Sequence, residues 1–465
     1  MKYLKNIIRE SKGFRFVIDK LELNSAPGRK MLMNELFLTE KDEINSKLDQ
    51  LENIVNLYKS DKNQFLNSIS SLLSDFRDIE NTIIHLKNKT VLNDIELFEI
   101  KHFALLYSEV NKFFNLLNLN SLYQKETETV IDILDPDNQR IPHFYIYSAY
   151  SEQLKKIRLS YKFSDIDEAF KTEIRNQEEI IENKIRIDLS NKLSQYADIL
   201  LNIHCLLAEF DVLMAKAKLS IECQFSKPEL SDDIISFKKL YNPLIKNQLE
   251  INNKKFQSID IQIGLYPTLI TGANMGGKTV LLDSLLICQY LCQFGFYVPA
   301  INAKIIPVEE IITNHPDNEQ VKEGLSSFAT EICKIDEIFR NIKKKKKILA
   351  LLDEPARTTN PREGSAIVNS IIDMATGKNA VCVITTHYDD IKVSCKKLRV
   401  KGLNIKDNIN INSINDLMDY SLIETDETNV PKDALKIAGL LNVDPELIEK
   451  AEKFYNLSLN KIEKS

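Results

Sequence analysis

The residues best suited to chemistry lie in one octet, Gly272-Ala273-Asn274-Met275-Gly276-Gly277-Lys278-Thr279. It fits the pattern G-x-x-x-x-G-K-[ST], in which backbone N–H groups close around phosphate oxygens. Lys278 would reach the β- and γ-phosphates of a nucleotide, and the Thr279 hydroxyl would ligate Mg²⁺. A short β-rich run, Leu269–Thr271, precedes the octet, and a helical run, Val280–Cys292, follows it. A helix N-terminus adds the positive end of its dipole at that point. An accidental glycine-rich turn has no reason to sit between a strand and a helix, so the octet reads as a phosphate loop for ATP with Mg²⁺.

Two further elements belong to the same chemistry. The apolar run Ile348–Leu352 ends in Asp353-Glu354, a buried strand that delivers two carboxylates to a sheet edge. Asp353 would hold Mg²⁺, and Glu354 would orient or deprotonate the attacking water. The pattern is common by itself and gains weight downstream of a phosphate loop. Past another apolar strand comes Thr385-Thr386-His387-Tyr388. His387 there can hydrogen-bond a γ-phosphate; the bland alternative is a satisfied surface histidine. His85, His102, His143, His204 and His315 lie beside no such motif and receive no role.

The elements that must position these residues follow from the glycines. Before residue 260 the chain has Gly13 and Gly28 alone, and a long stretch rich in Leu, Ile, Lys, Glu and Asn reads as helical. Leu48, Leu51, Ile54, Val55 and Leu57 form one apolar stripe, and Ile199, Leu200, Ile203, Leu206, Leu207 and Phe210 another; both read as bundle core. The segment Leu134–Pro142, with two prolines and several turn formers, is a loop or short hairpin between helices. From about residue 240, β-rich runs alternate with helical ones: Ile259–Ile263, Thr268–Thr271, Ile348–Leu352 and Val381–Thr385. That is the grammar of an α/β domain with a mainly parallel sheet. After about residue 425 the chain turns helical again, and Asp444-Pro445 suits an N-cap followed by proline at the first helical position. The expected fold class is α + α/β, with a helical bundle over 1–240, a P-loop domain over 241–425 and a C-terminal helical segment over 426–465.

Composition narrows the function. At 43% hydrophobic and 28% charged, the chain is that of an ordinary globular protein. Its formal net charge of -6 lacks the basic footprint of a protein that lives on DNA. The run Lys343–Lys347 reads as a solvated loop rather than an anion site. The seven cysteines are scattered, odd in number and mostly in apolar runs, which predicts reduced, buried thiols in a reducing compartment. Cys288 and Cys292 stand one helical turn apart without a neighbour to complete a metal set. The N-terminal residues lack a long apolar segment, and no apolar run approaches the ~20 residues of a membrane helix, so the expected location is the cytoplasm.

These motifs resemble the MutS family of ABC-type ATPases. Thr271–Thr279 is similar to that family's phosphate loop, with Ala273 where proline is usual. Gly295-Phe-Tyr-Val-Pro-Ala300 is similar to its next segment, and Gly324-Leu-Ser-Ser-Phe-Ala-Thr-Glu331 to its signature loop, with Leu325 in place of arginine. The resemblance implies that this loop acts across a dimer, so that Ser326 and Ser327 face the partner's nucleotide, and that His387 is the switch histidine. Upstream, Leu21–Leu32 resembles the start of the family's lever, Ile146–Arg158 the stretch before its DNA clamp, and Leu206–Leu213 the stretch after it. Between Arg158 and Leu206 there is room for a helical hairpin and not for a clamp, and mismatch-reading and connector domains are absent from this sequence. The chain thus looks like an engine and lever alone.

The stretch Asp353–Gly364 departs from the usual sequence of mismatch-repair proteins. It is similar to the MutS-like ATPase subunit of lysine 5,6-aminomutase reactivase. That likeness implies an ATPase that works on a protein client, an adenosylcobalamin-dependent aminomutase, by promoting release of damaged cobalamin. The partner would then be a second copy or another reactivase subunit. The alternative is a reduced MutS homologue that binds DNA in mismatch repair or recombination, which the missing clamp and the acidic balance argue against. A nucleotide-gated scaffold that scarcely hydrolyses ATP is disfavoured by the intact Glu354.

Overall fold

Where apolar residues run without a polar break, the chain forms strands buried on both faces, and these strands are parallel. The structure, a computed structural model, describes residues 2–119, 122–160, 168–272, 276–314, 327–388, 390–403, 418–425 and 444–462. Its principal sheet has six strands: β4 (Thr268–Thr271), β6 (Glu310–Thr313), β7 (Ile348–Asp353), β8 (Ala380–Thr385), β9 (Lys396–Leu403) and β10 (Met418–Glu424). Their order is β10-β9-β4-β8-β7-β6, and every neighbouring pair except β10–β9 is parallel. All residues of β4 and β8, and Ile348–Leu352 of β7, are buried. Ile338, Phe339, Val368, Ile371 and Ile372 from the helices Ser327–Lys343 and Pro361–Ala375 close on Leu269, Ile348, Leu352 and Ile384 in one core.

A second sheet was not foreseen. It joins β1 (Glu229–Leu230), β5 (Asn302–Ile305), β2 (Ile234–Leu240) and β3 (Ile259–Gly264) in the order β1-β5-β2-β3. The run Ile259–Ile263 therefore belongs to this smaller mixed sheet, antiparallel to β2, and not to the parallel one. Its pattern shows why. Ile261 and Ile263 are buried while Asp260 and Gln262 are exposed, the alternation of a strand with one wet face.

By packing, the chain divides into two units that interleave along the sequence. One comprises Met1–Lys20, Leu36–Asp49 and Ser220–Ser465, and the other Leu21–Glu35 and Gln50–Leu219. A division by sequence texture places the first residues with the helical bundle; by packing they join the α/β unit. Phe14 meets Tyr290 and Phe294 with ring centroids 5.4 and 5.8 Å apart, and Gln293 donates to the Leu38 carbonyl.

The described residues of the second unit form helices without strands. Its central helix, Asp94–Leu116, is opened by a capping box: Asn93 Oδ1 accepts from the N–H groups of Ile95 and Glu96, and Glu96 accepts from the Asn93 N–H. Its apolar face buries Leu97, Ile100, Ala104 and Val110. Lys101 interrupts that face. Its fully buried ammonium donates to Asp135 Oδ1 at 3.1 Å, the His143 carbonyl at 2.9 Å and Tyr147 Oη at 2.9 Å. The Leu134–Pro142 segment is thus a loop pinned from inside. A second anchor is Asp211, which accepts from the N–H groups of Asn24 and Ser25 and from the Ser25 hydroxyl. Residues 152–194 carry the helices Glu152–Ser160 and Glu168–Ser194, linked by Arg158 to Glu178 at 2.7 Å and Glu182 at 2.8 Å. Among the described residues no helix is long and apolar enough to cross a membrane.

The lysine run is a turn after the helix Ser327–Lys343, where Lys345 has φ 60° and Lys346 pairs with Glu310 at 3.3 Å. Cys288, Cys292 and Cys382 are buried, whereas Cys205 and Cys333 are exposed, which corrects the expectation of buried thiols for those two. They sit on the outer faces of helices whose apolar sides face inward.

The buried pair supplies a stability test. Burial alone raises the Asp135 carboxyl, but the Arg140 N–H and the Lys101 ammonium outweigh it and hold the group below the usual aspartate value. A depressed carboxyl stabilises the fold above its unfolded-state pKa, and that contribution fades as pH falls through the folded-state value. Lys101→Met should strand the carboxylate and cost about 3 kcal/mol, read by urea unfolding of the full chain at neutral pH. The penalty should shrink in acid as Asp135 protonates.

Candidate nucleotide site

Parallel register brings the chemistry to one edge. Asp353 at the end of β7 pairs with Thr385 at the end of β8, and Ile270 of β4 pairs with Thr385 on the other side. The C-terminal ends of the three strands thus converge, as ligand sites of open α/β sheets do. The Asp353 carboxylate accepts the Thr279 hydroxyl through Oδ2 and the Thr385 hydroxyl through Oδ1, both at 2.6 Å. Thr385 Oγ1 also accepts from the Glu354 N–H at 3.0 Å.

The helix Lys278–Gln293 begins at Gly277, which caps it with φ 72° and no side-chain acceptor. A helix N-terminus of this kind turns its first N–H groups and the positive end of its dipole toward an anion. A side chain at Gly277 is disfavoured twice: by the left-handed backbone, and by the Tyr420 ring 3.1 Å from where a Cβ would stand. Lys278 is buried. Its ammonium donates to the Gly272 carbonyl at 2.8 Å, lies 3.3 Å from His387 Nε2 and 3.9 Å from Glu354 Oε1. Burial pulls its pKa down, against the opposing pull of Glu354 and Asp353.

Glu354 is ringed by basic groups. Its Oε1 is bonded to His387 Nε2, and its Oε2 lies 3.3 Å from Arg357. The His387 bond, ahead of any other influence, holds the carboxyl below its usual value, so it is an anion at neutral pH. The backbone here is left-handed twice, at Glu354 with φ 45° and Ala356 with φ 61°. Such residues cost roughly 1 kcal/mol each and gather at functional turns.

Thr279 and Asp353 supply hard oxygen donors, the chemistry Mg²⁺ takes, and the buried Lys278 at a helix N-terminus suits a phosphate. Gly272, Gly276, Gly277, Lys278, Thr279, Asp353, Glu354 and His387 lie together. Ala273, Asn274, Met275 and Ser326 lie outside the described residues, as does the Ser327 side chain; Ser327 is the first residue of its helix. Among the described residues no cluster of three or more metal-ligating side chains occurs, and Cys288 and Cys292 are core.

Residues 268–458 match the family model of MutS domain V. The chain carries a MutS-type ATPase domain. Similar proteins include the endonuclease MutS2 of Geobacillus sp. (strain WCH70), 30% identical over 288 residues, which are 60% of this chain and 35% of that protein. The endonuclease MutS2 of Caldanaerobacter subterraneus subsp. tengcongensis is 31% identical over 289 residues, 61% of this chain and 34% of that protein. That of Ligilactobacillus salivarius (strain UCC118) is 33% identical over 224 residues, 47% and 27%. The chain spans about a third of the length of these curated relatives.

The structure adds residues to this MutS-type site that sequence reasoning missed. A cavity of about 630 Å³ opens beside the phosphate loop, lined by Phe256, Tyr420, Ile245, Lys254 and Arg357 together with Gly276–Val280 and Glu354. Its apolar side, with two aromatic rings, suits a nucleobase; its loop side suits phosphates. Gln257 steadies Tyr420 by accepting its N–H at 3.1 Å and donating to Asp419 at 2.8 Å. No motif marks Phe256 or Tyr420, because they reach the cavity from the loop before β3 and from the sheet's edge strand. Asn314 and Tyr388 stand behind the carboxylates; their neighbours were readable and their contacts were not.

Thr385→Val tests the register. It removes one hydroxyl from Asp353 and one acceptor from the Glu354 N–H, each worth about 1–2 kcal/mol. Turnover of ATP should fall roughly 10- to 100-fold with KM for ATP little changed, measured by steady-state phosphate release.

Proposed function

We propose that this chain binds ATP with Mg²⁺ and hydrolyses it, and that the cycle drives conformational change in a macromolecular client. The convergence of Lys278, Thr279, Asp353, Glu354 and His387 carries the reading: Lys278, Thr279 and Glu354 line one cavity, Asp353 is bonded to Thr279, and His387 lies against Lys278 and Glu354. Thr279 and Asp353 would hold Mg²⁺, Lys278 would contact the phosphates, and Glu354 would take up the attacking water. His387, which contacts Glu354, would also be within reach of a γ-phosphate held by Lys278. Ser326 and Ser327 would complete the site of a partner subunit, either a second copy or a related chain.

Two clients are in view, and each has a specific support. The departure of the Asp353–Gly364 sequence from that of mismatch-repair proteins is the support for a protein client of the adenosylcobalamin-dependent aminomutase type, in which ATP would promote release of damaged cobalamin. No comparison speaks for that client. The names of the similar proteins, endonucleases MutS2, support DNA. Against DNA stand the net charge of -6 and the two helices of residues 152–194, where a clamp would sit. Duplex affinity comes chiefly from basic side chains that release counterions. The proposal therefore places the protein client first.

Lys278→Ala should abolish turnover, and Glu354→Gln should bind ATP and stop hydrolysis; unchanged turnover in the second would remove Glu354 from its role. On that Glu354→Gln protein, ATP should shift the sedimentation coefficient toward a dimer. A monomer with and without ATP at micromolar concentration, alone and with candidate partner subunits, would refute the shared site. Fluorescence anisotropy should show no preference for mismatched over matched duplex, and loss of binding near physiological salt. Tight, mismatch-selective binding at that salt would return the chain to DNA repair.

A further inference from the structure

We propose that Asn314 is a positioning residue that joins the metal-side end of β7 to the helix Ser327–Lys343, so that the state of the nucleotide site is felt at the start of that helix. The inference rests on the ATPase reading for what is transmitted. The junction itself rests on geometry.

β6 pairs with β7 in parallel as far as Thr313, opposite Leu351. Beyond that point the ladder has run out, yet Asp353 still presents its N–H and carbonyl toward β6. One side chain takes both. Asn314 Oδ1 accepts from the Asp353 N–H at 2.7 Å, and Asn314 Nδ2 donates to the Asp353 carbonyl at 2.9 Å. The remaining proton of Nδ2 goes to Glu331 Oε1 at 2.8 Å. Glu331 lies one turn into the helix that opens at Ser327.

The amide is thus spent completely, with its acceptor and two donors on three different groups. Asparagine is suited to this by its inventory: an aspartate of the same shape has no donor at all. The outcome is a continuous chain of hydrogen bonds from Thr279 through the Asp353 carboxylate and backbone to Asn314 and Glu331. A Mg²⁺ ion that took over the Thr279 hydroxyl and the Asp353 carboxylate would break their mutual bond and shift the end of β7. The same side chain that clamps that end would carry the shift to Glu331. A contiguous network of this kind is a physical route for coupling, and a paired substitution tests it directly.

Asn314→Asp sets two carboxylates against each other and faces an acceptor toward the Asp353 carbonyl. Glu331→Gln, added to it, restores a donor between the two side chains. Glu331→Gln alone leaves an acceptor for Asn314. In the nucleotide-free protein, Asn314→Asp should lower the melting temperature, the combined variant should recover at least half of the loss, and Glu331→Gln alone should change little. With Mg-ADP, hydrogen exchange over residues 327–335 should change in wild type and in the combined variant, and not in Asn314→Asp. Turnover should fall roughly tenfold in Asn314→Asp and recover in the pair. A combined variant no better than Asn314→Asp in melting and exchange would overturn the junction. Wild type that binds Mg-ADP without any exchange response over 327–335 would overturn the transmission. Wild type that binds no Mg-nucleotide would overturn the ATPase reading and the transmission together, and the nucleotide-free melting series would then decide the junction alone.

Discussion

The Asp353 carboxylate is the point on which the α/β unit is organised. It accepts Thr279 from the helix after the phosphate loop and Thr385 from the neighbouring strand, at the same distance. Those bonds are possible because β4, β8 and β7 are parallel and in register. The register in turn follows from burial. Strands covered on both faces by Leu, Ile, Val and Ala have no wet side to satisfy, so they stack at the centre of the sheet with their carboxyl ends aligned. Polar groups placed just past those ends meet one another whether or not they are close in sequence. Phosphate loop, carboxylate pair and histidine thus become one site through the packing of residues that do no chemistry.

The turn after Asp353 shows how the site is kept in shape. Glu354 and Ala356 both hold left-handed conformations, which costs free energy that the surroundings must offset. Tyr388 supplies part of the offset. Its hydroxyl donates to the Ala356 carbonyl at 2.8 Å, and its ring lies against Gly364, where a Cβ would fall 2.1 Å from the hydroxyl oxygen. The residue next to His387 therefore holds the turn that carries Glu354. Glu354 itself is surrounded by His387, Arg357 and Lys278, which favour its anion; nucleotide phosphates would compete for the same cations.

The helical unit solves a different problem. Long helices rich in Leu and Ile pack in many registers of similar energy, and apolar contacts do not choose between them. Buried polar groups do. Lys101, fully enclosed, reaches Asp135, the His143 carbonyl and Tyr147 in one arrangement, and Asp211 binds the backbone of Asn24 and Ser25 from a helix 186 residues away in sequence. Each would leave a charge unsatisfied in any shifted packing, and that penalty exceeds what a few methyl groups contribute. Asp211 thus joins the segment near Leu21 to the one near Leu206, far apart in sequence.

The sequence alone singles out the Gly272–Thr279 octet, the Asp353-Glu354 pair and His387, since each is a local pattern whose spacing is set by one turn or one strand. It was enough, too, for the helical character of the first half and for the capped helix at Pro445, where the Glu446 N–H bonds to Asp444 at 2.9 Å. Local patterns left the membership of strands open. Ile259–Ile263 has strand composition in either sheet, and its alternation under the second sheet becomes decisive once β2 is seen beside it. They placed the first residues of the chain with the bundle, because Phe14 is an apolar residue in a short helix until Tyr290 and Phe294 surround it. Phe256, Tyr420 and Asn314 carry no motif for the same reason, and the contact of Tyr388 with Ala356 is not written in the motif that contains it. Their roles lie in contacts across long stretches of chain, and such contacts are fixed by how buried surfaces fit in three dimensions.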